Sequence, residues 1–359
     1  MFFEENERLL AEFSRVSKAA GARADYVQGG GGNTSVKLPG GLMAIKASGF
    51  CLKDIEINKA YAVLDVKDLR DFYLSSEPSD FEDVEKAGSS RAKADVRHID
   101  GLADLRPSVE AGFHSILKTF VLHTHSVYAN LACCSTACRV IAEQAFQGAA
   151  YTWGWVPYTD PGANLTFAIR DELRRVEKES GRQPSVILMQ NHGIIVHDDD
   201  PDKVLAIHAD ANERLARMFG INGTAFPEIK TKKMAAGIIA ADTPYLEQAF
   251  LSGRYNEEYL MTQPLYPDQM VFLSDTFFMD RDGISDGQAI ADSTTGQMLM
   301  KMDAKKAMTL TETLTAVFFI MNTVQKAGYN LSTMGEAAKK FIANWESEKY
   351  RKSLAGGKA

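Results

Sequence analysis

The chain has 359 residues, 45% of them hydrophobic, which is enough for one large packed core or two. Its net charge of -7, with Lys230-Thr231-Lys232-Lys233 as the densest basic fragment, excludes an extended nucleic-acid footprint, so any anionic ligand must be held by local donors. No apolar run approaches the roughly 20 residues that span a bilayer, and four cysteines (Cys51, Cys133, Cys134, Cys138) at neither metal nor disulfide spacing, with no signal peptide ahead of them, predict a cytoplasmic protein.

Residues 4–20 place Leu9, Leu10, Phe13 and Val16 at helical spacing, and Gly21 ends that helix. A glycine-rich loop, Gln28 to Ser35, then feeds a hairpin that turns at Pro39-Gly40-Gly41 and runs on to Lys46, Ser48 and Gly49. Glycines let backbone N–H groups face an anion, and Asn33, Ser35, Lys46 and Ser48 add side-chain donors, so the loop can cradle a phosphate. It is not a Walker A loop, because the Gly-Lys-Ser/Thr ending and the following helix are missing. Tyr61–Val66 reads as a strand, Lys67–Tyr73 as a short helix, and the acidic stretch from Ser75 to Asp83 as a solvated excursion.

A helix is expected from Ser108 to Thr119, with Pro107 and Ser108 at its start and Glu110 near its positive end. It leads into Val121-Leu122-His123-Thr124-His125, where a strand period of two puts both imidazoles on one face. Two histidines so placed are half of a metal site, and a catalytic zinc takes three protein ligands. Ser126–Ala137 reads as an apolar helix whose cysteines are small core residues. Glu143 precedes an aromatic loop, Tyr151 to Tyr158, and a helix follows from Pro161 to about Ser180. A buried strand, Val186–Met189, ends in Gln190-Asn191-His192-Gly193, which supplies the third ligand, His192, with Gly193 allowing a close backbone approach to the metal. His114 and His208 are expected to pack structurally. After a helix from Pro201 to about Phe219, a polar, proline-punctuated segment leads to a strand at Met298–Met302 and two helices, Ala304–Ala327 and Ser332–Tyr350, the second capped by Ser332, before a frayed tail. No glycine-rich dinucleotide fingerprint is present.

The ordered set Gly32-Asn33-Thr34-Ser35, Lys46-x-Ser48-Gly49, Pro107-Ser108-x-Glu110, His123-x-His125 and Asn191-His192-Gly193 resembles the class II aldolase/adducin family over roughly residues 5–222. Its glycine run and chain length look most like the aldolase portion of rhamnulose-phosphate aldolase/dehydrogenase proteins. The resemblance implies a three-layer α/β/α fold with a central, mainly antiparallel sheet over residues 1–222, followed at 223–359 by a C-terminal extension of mixed α and β. It implies zinc, or another divalent transition metal, on His123, His125 and His192, and Glu110 as acid/base. Gly32, Asn33, Ser35, Lys46, Ser48, Gly49 and Ser108 then hold a substrate phosphate. It further implies a homo-oligomer, a tetramer in the first instance, with active sites between subunits. Val109 stands where fuculose-phosphate aldolases carry a second serine, and Glu143 falls near their proton-donating tyrosine.

The implied reaction is retro-aldol cleavage of a ketose phosphate, of the 6-deoxyketose 1-phosphate kind such as rhamnulose or fuculose phosphate. Such a base is expected to titrate nearer neutrality than a solvated carboxylate. A sugar-phosphate 4-epimerase and a keto-acid phosphate decarboxylase stabilise the same enediolate and remain alternatives. The adducin-like binding modules of the family lack the metal histidines, and a cupin, which also has an H-x-H strand, lacks the flanking helices.

Overall fold

The computed structural model describes residues 2–223 and 225–344. Eight strands form one sheet: β1 (Asn33–Leu38), β2 (Leu42–Lys46), β3 (Tyr61–Asp65), β4 (Val96–Arg97), β5 (Phe120–Thr124), β6 (Trp153–Val156), β7 (Val186–Met189) and β8 (Gly193–Asp198), in the order β4-β3-β2-β1-β5-β8-β7-β6. Only the β6/β7 pair is parallel, so the sheet is mainly antiparallel.

Strand periodicity sorts the two faces. Leu122, Leu188, Ile194 and Val196 share one core with Leu10 and Phe13 of helix α1 (Phe2–Gly21) and Leu215 of the Pro201–Met218 helix. Val121, Ile187 and Ile195 share the opposite core with Leu69, Phe113 and Phe167, carried by α2 (Val66–Ser75), the Ala111–Ile116 helix and the Ala163–Ser180 helix. Helices thus cover both faces, giving three layers. The same parity decides where β5 points its polar residues: Thr124 meets His208 at 2.7 Å on one side, and His123 lies against the Phe113 ring on the other.

The acidic excursion ends at Asp83, which caps a helix that the sequence reading leaves out, α3 (Val84–Ala94). The helix expected from Ser108 is shorter, α4 (Ala111–Ile116), because residues 106–108 pair with the end of β2: Ser48 N–H donates to the Arg106 carbonyl and Ser108 N–H to the Lys46 carbonyl. The expected Ser126–Ala137 helix is α5 (Val127–Cys133), followed by α6 (Cys138–Ala145), α7 (Ala163–Ser180) and α8 (Pro201–Met218). All four cysteines are buried free thiols.

Beyond residue 223 the chain forms a second sheet, β9 (Thr231–Lys233), β10 (Ile239–Ala241), β11 (Phe277–Met279), β12 (Ala289–Ala291) and β13 (Met298–Met300), ordered β11-β12-β13-β10-β9. With it go α9 (Pro244–Leu251), α10 (Glu257–Thr262), α11 (Pro267–Leu273), α12 (Ala304–Lys326) and α13 (Glu336–Asn344). Helix α12 is apolar nearly all round because it is a core helix, sharing one hydrophobic cluster with Val127, Tyr128 and Leu131 of α5. Its buried Thr311, Thr313 and Thr315 satisfy their hydroxyls on carbonyls four residues back at 2.7–2.8 Å. It is the one described helix with the length and composition to cross a membrane, longer than the apolar runs of the sequence predict, and 72% of its 18-residue apolar window is buried inside the protein.

Ser332 caps no helix, since α13 begins at Glu336; its hydroxyl donates instead to Asn191. The expected continuation to Tyr350 and the frayed tail lie outside the described residues.

Candidate active site

The functional motifs meet at one end of the main sheet. Antiparallel pairing sets Asn33, the first residue of β1, opposite His123 near the end of β5, and the β7/β8 turn brings His192 to the same end. His125 follows one residue beyond β5. The three imidazole centroids form a near-equilateral triangle, with separations of 4.9, 5.0 and 5.1 Å, and one ring nitrogen of each lies within 4.8 Å of the others. All three residues are buried.

Gly193 serves this geometry indirectly. A Cβ there would lie 2.3 Å from the Thr124 carbonyl oxygen, so glycine permits β8 to close on β5 rather than the backbone to approach a metal.

The orientations of two of the rings are set by hydrogen bonds at their far nitrogens, while His192 Nδ1 has no hydrogen-bond partner among the described residues. His123 Nδ1 donates to the Ile194 carbonyl at 3.0 Å, and His125 Nδ1 donates to Asp268 Oδ2 at 2.5 Å. Burial pushes His123 down to about 3, so it is neutral near pH 7. The rings of His123 and His125 then turn their Nε2 atoms toward each other at 3.2 Å. With their Nδ1 atoms engaged elsewhere, the two rings present Nε2 to one point, an arrangement that suits a shared cation. Three imidazoles with a carboxylate beside them also match the donor set that zinc-type ions take. These residues fit a divalent metal.

Glu110 completes the centre. It sits just before α4 with no capping hydrogen bond, so the helix-start role is not what holds its side chain. Its Oε1 is 3.3 Å from His192 Nε2 and its Oε2 3.7 Å from His123 Nε2. Burial raises its carboxyl, but the imidazoles of His123, His192 and His125 around it outweigh that and draw it well below the usual carboxylate range. The expected shift toward neutrality is thus reversed here: the surrounding imidazoles favour the ionised form.

Asn33 Nδ2 donates to Glu110 Oε2 and also to Ser108 Oγ, while Asn33 Oδ1 is hydrogen-bonded to His114 Nε2. His114 Nδ1 meets Ser35 Oγ at 2.7 Å. His114 is therefore a supporting residue, holding the amide that holds the Glu110 carboxylate, and burial keeps its imidazole well below its ordinary pKa.

A cavity of about 40 Å³ adjoins the centre, lined by Gly32, Asn33, Lys46, Ser48, Ser108, Glu110, His125, His192 and Asp268, among others. Lys46 Nζ donates to the carbonyls of Gly30 and Phe50. Three of the expected residues stand apart. Ser35 meets His114 instead of the cavity: it shares the face of β1 that carries Asn33 but lies two residues further from the opening. Gly49 lies past Ser48 and does not line it. Glu143 is 54% exposed on α6, paired with Arg139 at 3.2 Å, and lines a different, aromatic cavity with Tyr151, Trp153 and Trp155. Sequence reasoning misses Asp268; Pro267-Asp268 reads as an ordinary helix start, and nothing local to it signals a histidine partner 143 positions away.

A buried three-histidine centre with an adjoining carboxylate, mounted at the end of a mainly antiparallel sheet between helical layers, defines a metal-site protein of α/β/α type. A family model described as the class II aldolase and adducin N-terminal domain matches residues 11–219, and the chain belongs to that family. Class II aldolases use a divalent metal, and the three histidines form a site that could hold one.

Among solved structures, the N-terminal class II aldolase domain of a conserved protein from Thermoplasma acidophilum is 20% identical, covering 57% of this chain and 91% of its own at a TM-score of 0.47. YgbL from Klebsiella pneumoniae, titled a putative aldolase/epimerase/decarboxylase, is 18% identical, covering 61% and 91% at 0.41. An L-fuculose-1-phosphate aldolase from Thermus thermophilus is 14% identical, covering 60% and 95% at 0.37. No curated protein matches.

Proposed function

We propose that this protein is a zinc-dependent lyase that cleaves a ketose 1-phosphate, of the 6-deoxy kind represented by rhamnulose and fuculose phosphates, by a retro-aldol reaction. The observation that carries the reading is the position of Glu110, an ionised carboxylate 3.3 and 3.7 Å from two of three convergent histidines. His123, His125 and His192 would hold the ion, which supplies Lewis acidity for the negative charge that develops on the substrate's oxygens.

The chain's own residues supply the rest. Glu110 moves the proton at the carbon that becomes nucleophilic after cleavage. The Asn33 amide, braced by His114, keeps Oε2 in place, which leaves Oε1, beside His192, for that transfer. Lys46, Ser48 and Ser108 stand on the same cavity wall as the Gly32/Asn33 backbone and bind the phosphate end. Lys46 brings the cation in place of the serine hydroxyl replaced by Val109.

We assign Glu143 the proton-donor role only toward a neighbouring subunit, since it lies outside this chain's own site, and propose a homotetramer assembled around the aromatic face of Trp153 and Trp155 on the edge strand β6. The four buried thiols support a reducing, cytoplasmic setting.

The test is a screen of zinc-loaded protein against ketose 1-phosphates and keto-acid phosphates. Release of dihydroxyacetone phosphate from a ketose 1-phosphate is the expected result. Carbon dioxide release, or epimerisation without cleavage, would replace it with the decarboxylase or epimerase reading.

A further inference from the structure

The metal centre is closed by a residue from outside the matched family region. Asp268 lies at the start of α11 in the extension, is fully buried, and its Oδ2 accepts from His125 Nδ1 at 2.5 Å. The pair is pressed against the glycine loop. A Cβ on Gly31 would lie 2.3 Å from Asp268 Oδ2 and 3.0 Å from His125 Nδ1, so any side chain at residue 31 displaces one of them.

The second contact runs through Asn191, the residue before His192. Its backbone is left-handed, with φ of 52°, a conformation asparagine tolerates. Its Nδ2 donates to the Leu265 and Ser332 carbonyls, both at 2.8 Å, and its Oδ1 accepts from Ser332 Oγ at 2.9 Å. The third contact is Glu312 on α12, whose Oε2 accepts from the Gly29 backbone N–H at 2.8 Å. The extension therefore reaches one histidine directly, a second through its chain neighbour, and the glycine loop beside them.

A histidine that ligates a metal through one nitrogen is oriented by what its other nitrogen meets, and a carboxylate there both fixes the tautomer and raises the basicity of the ligating nitrogen. We propose that Asp268 is a positioning residue of the metal centre, and that through it metal loading and docking of the extension are thermodynamically linked. This rests on the metal-centre reading above. An ion that binds better when Asp268 is in place must, by reciprocity, tighten the docking of the segment that carries Asp268.

Zinc affinity of the full chain is measured by competition with a chromogenic chelator, for wild type, Asp268→Ala and the near-isosteric Asp268→Asn. Hydrogen exchange of residues 264–273 is followed with and without zinc. Asp268→Ala should bind zinc about 10–100-fold more weakly, and Asp268→Asn, which keeps an acceptor but loses the charge, should fall between it and wild type. In wild type, zinc should slow exchange across residues 264–273; in Asp268→Ala it should not. The visible spectrum of the cobalt-substituted protein should shift in Asp268→Asn, a change that a purely structural contact would leave unmoved. If Asp268→Ala does not fold, the same comparison is made with Asp268→Asn alone. Zinc affinity of a folded variant within about twofold of wild type, or zinc-independent exchange in wild type, overturns the inference and leaves the lyase reading standing. Wild-type protein that binds no zinc overturns the metal centre itself, and the inference with it.

Discussion

The two sides of the metal centre are built by different means. On the sheet side, His123 is fixed by strand register: its neighbour across β1 is Asn33, its neighbour across β8 is Ile195, and its Nδ1 proton goes to the carbonyl of Ile194. On the extension side, His125 is fixed by a carboxylate from α11, and the backbone before His192 by carbonyls at Leu265 and Ser332. The sheet side is a consequence of pairing that the main sheet needs in any case. The extension side exists only once a second region of chain has docked, so its contribution can be removed without disturbing the sheet.

The largest expected effect lies on the sheet side. Glu110→Gln keeps size and most hydrogen bonding but removes the base, so turnover should fall by roughly 10²–10⁴-fold, with zinc content nearly unchanged. That combination marks an interaction needed in the transition state rather than in assembly. Near wild-type turnover would return Glu110 to a structural role.

His192→Ala comes next and tests the shared centre. Wild type should carry about one divalent ion per chain, and the variant should lose it while keeping native circular dichroism, because one ligand of three is gone. Full occupancy by elemental analysis would remove His192 from the ligand set.

Asn191→Ala separates the two sides. It deletes three hydrogen bonds to the extension and leaves a residue less tolerant of positive φ. Denaturant titration should show a stability loss of about 3 kcal/mol, at about 1 kcal/mol for each bond. No loss would mean that the extension docks without this clamp.

The smallest effect provides a control far from the metal. His197, at the other end of β8, is fully buried with Nε2 unpartnered, and burial pushes it down to about 3. Above its unfolded value of about 6.5 both states are neutral. Below it the unfolded chain takes up a proton that the folded chain refuses until about pH 3, so stability is lost as pH falls through that window. Between pH 7 and pH 5 the loss from this one group is about 2 kcal/mol. His197→Gln should reduce the pH 7 to pH 5 loss in denaturant titrations by that amount, the remainder coming from His123 and His208, which burial also pushes to about 3; an unchanged loss would show that His197 carries none of the acid sensitivity.

How much of this is legible in the sequence follows the same division. The β5 alternation and the β7/β8 turn are readable because apolar periodicity fixes which way a strand points its side chains, and His123, His125, His192 and Glu110 do converge. Within that region the departures are local. Ser35 reads as a phosphate donor although it lies two residues deeper than Asn33 and meets His114, and α3 begins only where the acidic, turn-rich stretch ends. Asp268 and Glu312 are illegible for a different reason. Each sits in a helix where a carboxylate needs no explanation, and the His125 and Gly29 partners lie 143 and 283 positions away. Docking between distant regions leaves no periodic trace in either of them.

The separation of His125 from Asp268 by 143 residues also sets an order in time during synthesis. At about 5–20 residues per second, the carboxylate follows its histidine by about 7 to 30 seconds. During that interval the strands that carry the histidines can pair with an imidazole Nδ1 still open to water. The nascent chain thus passes through a stage in which the histidines are present and the orientation of His125 is not yet enforced.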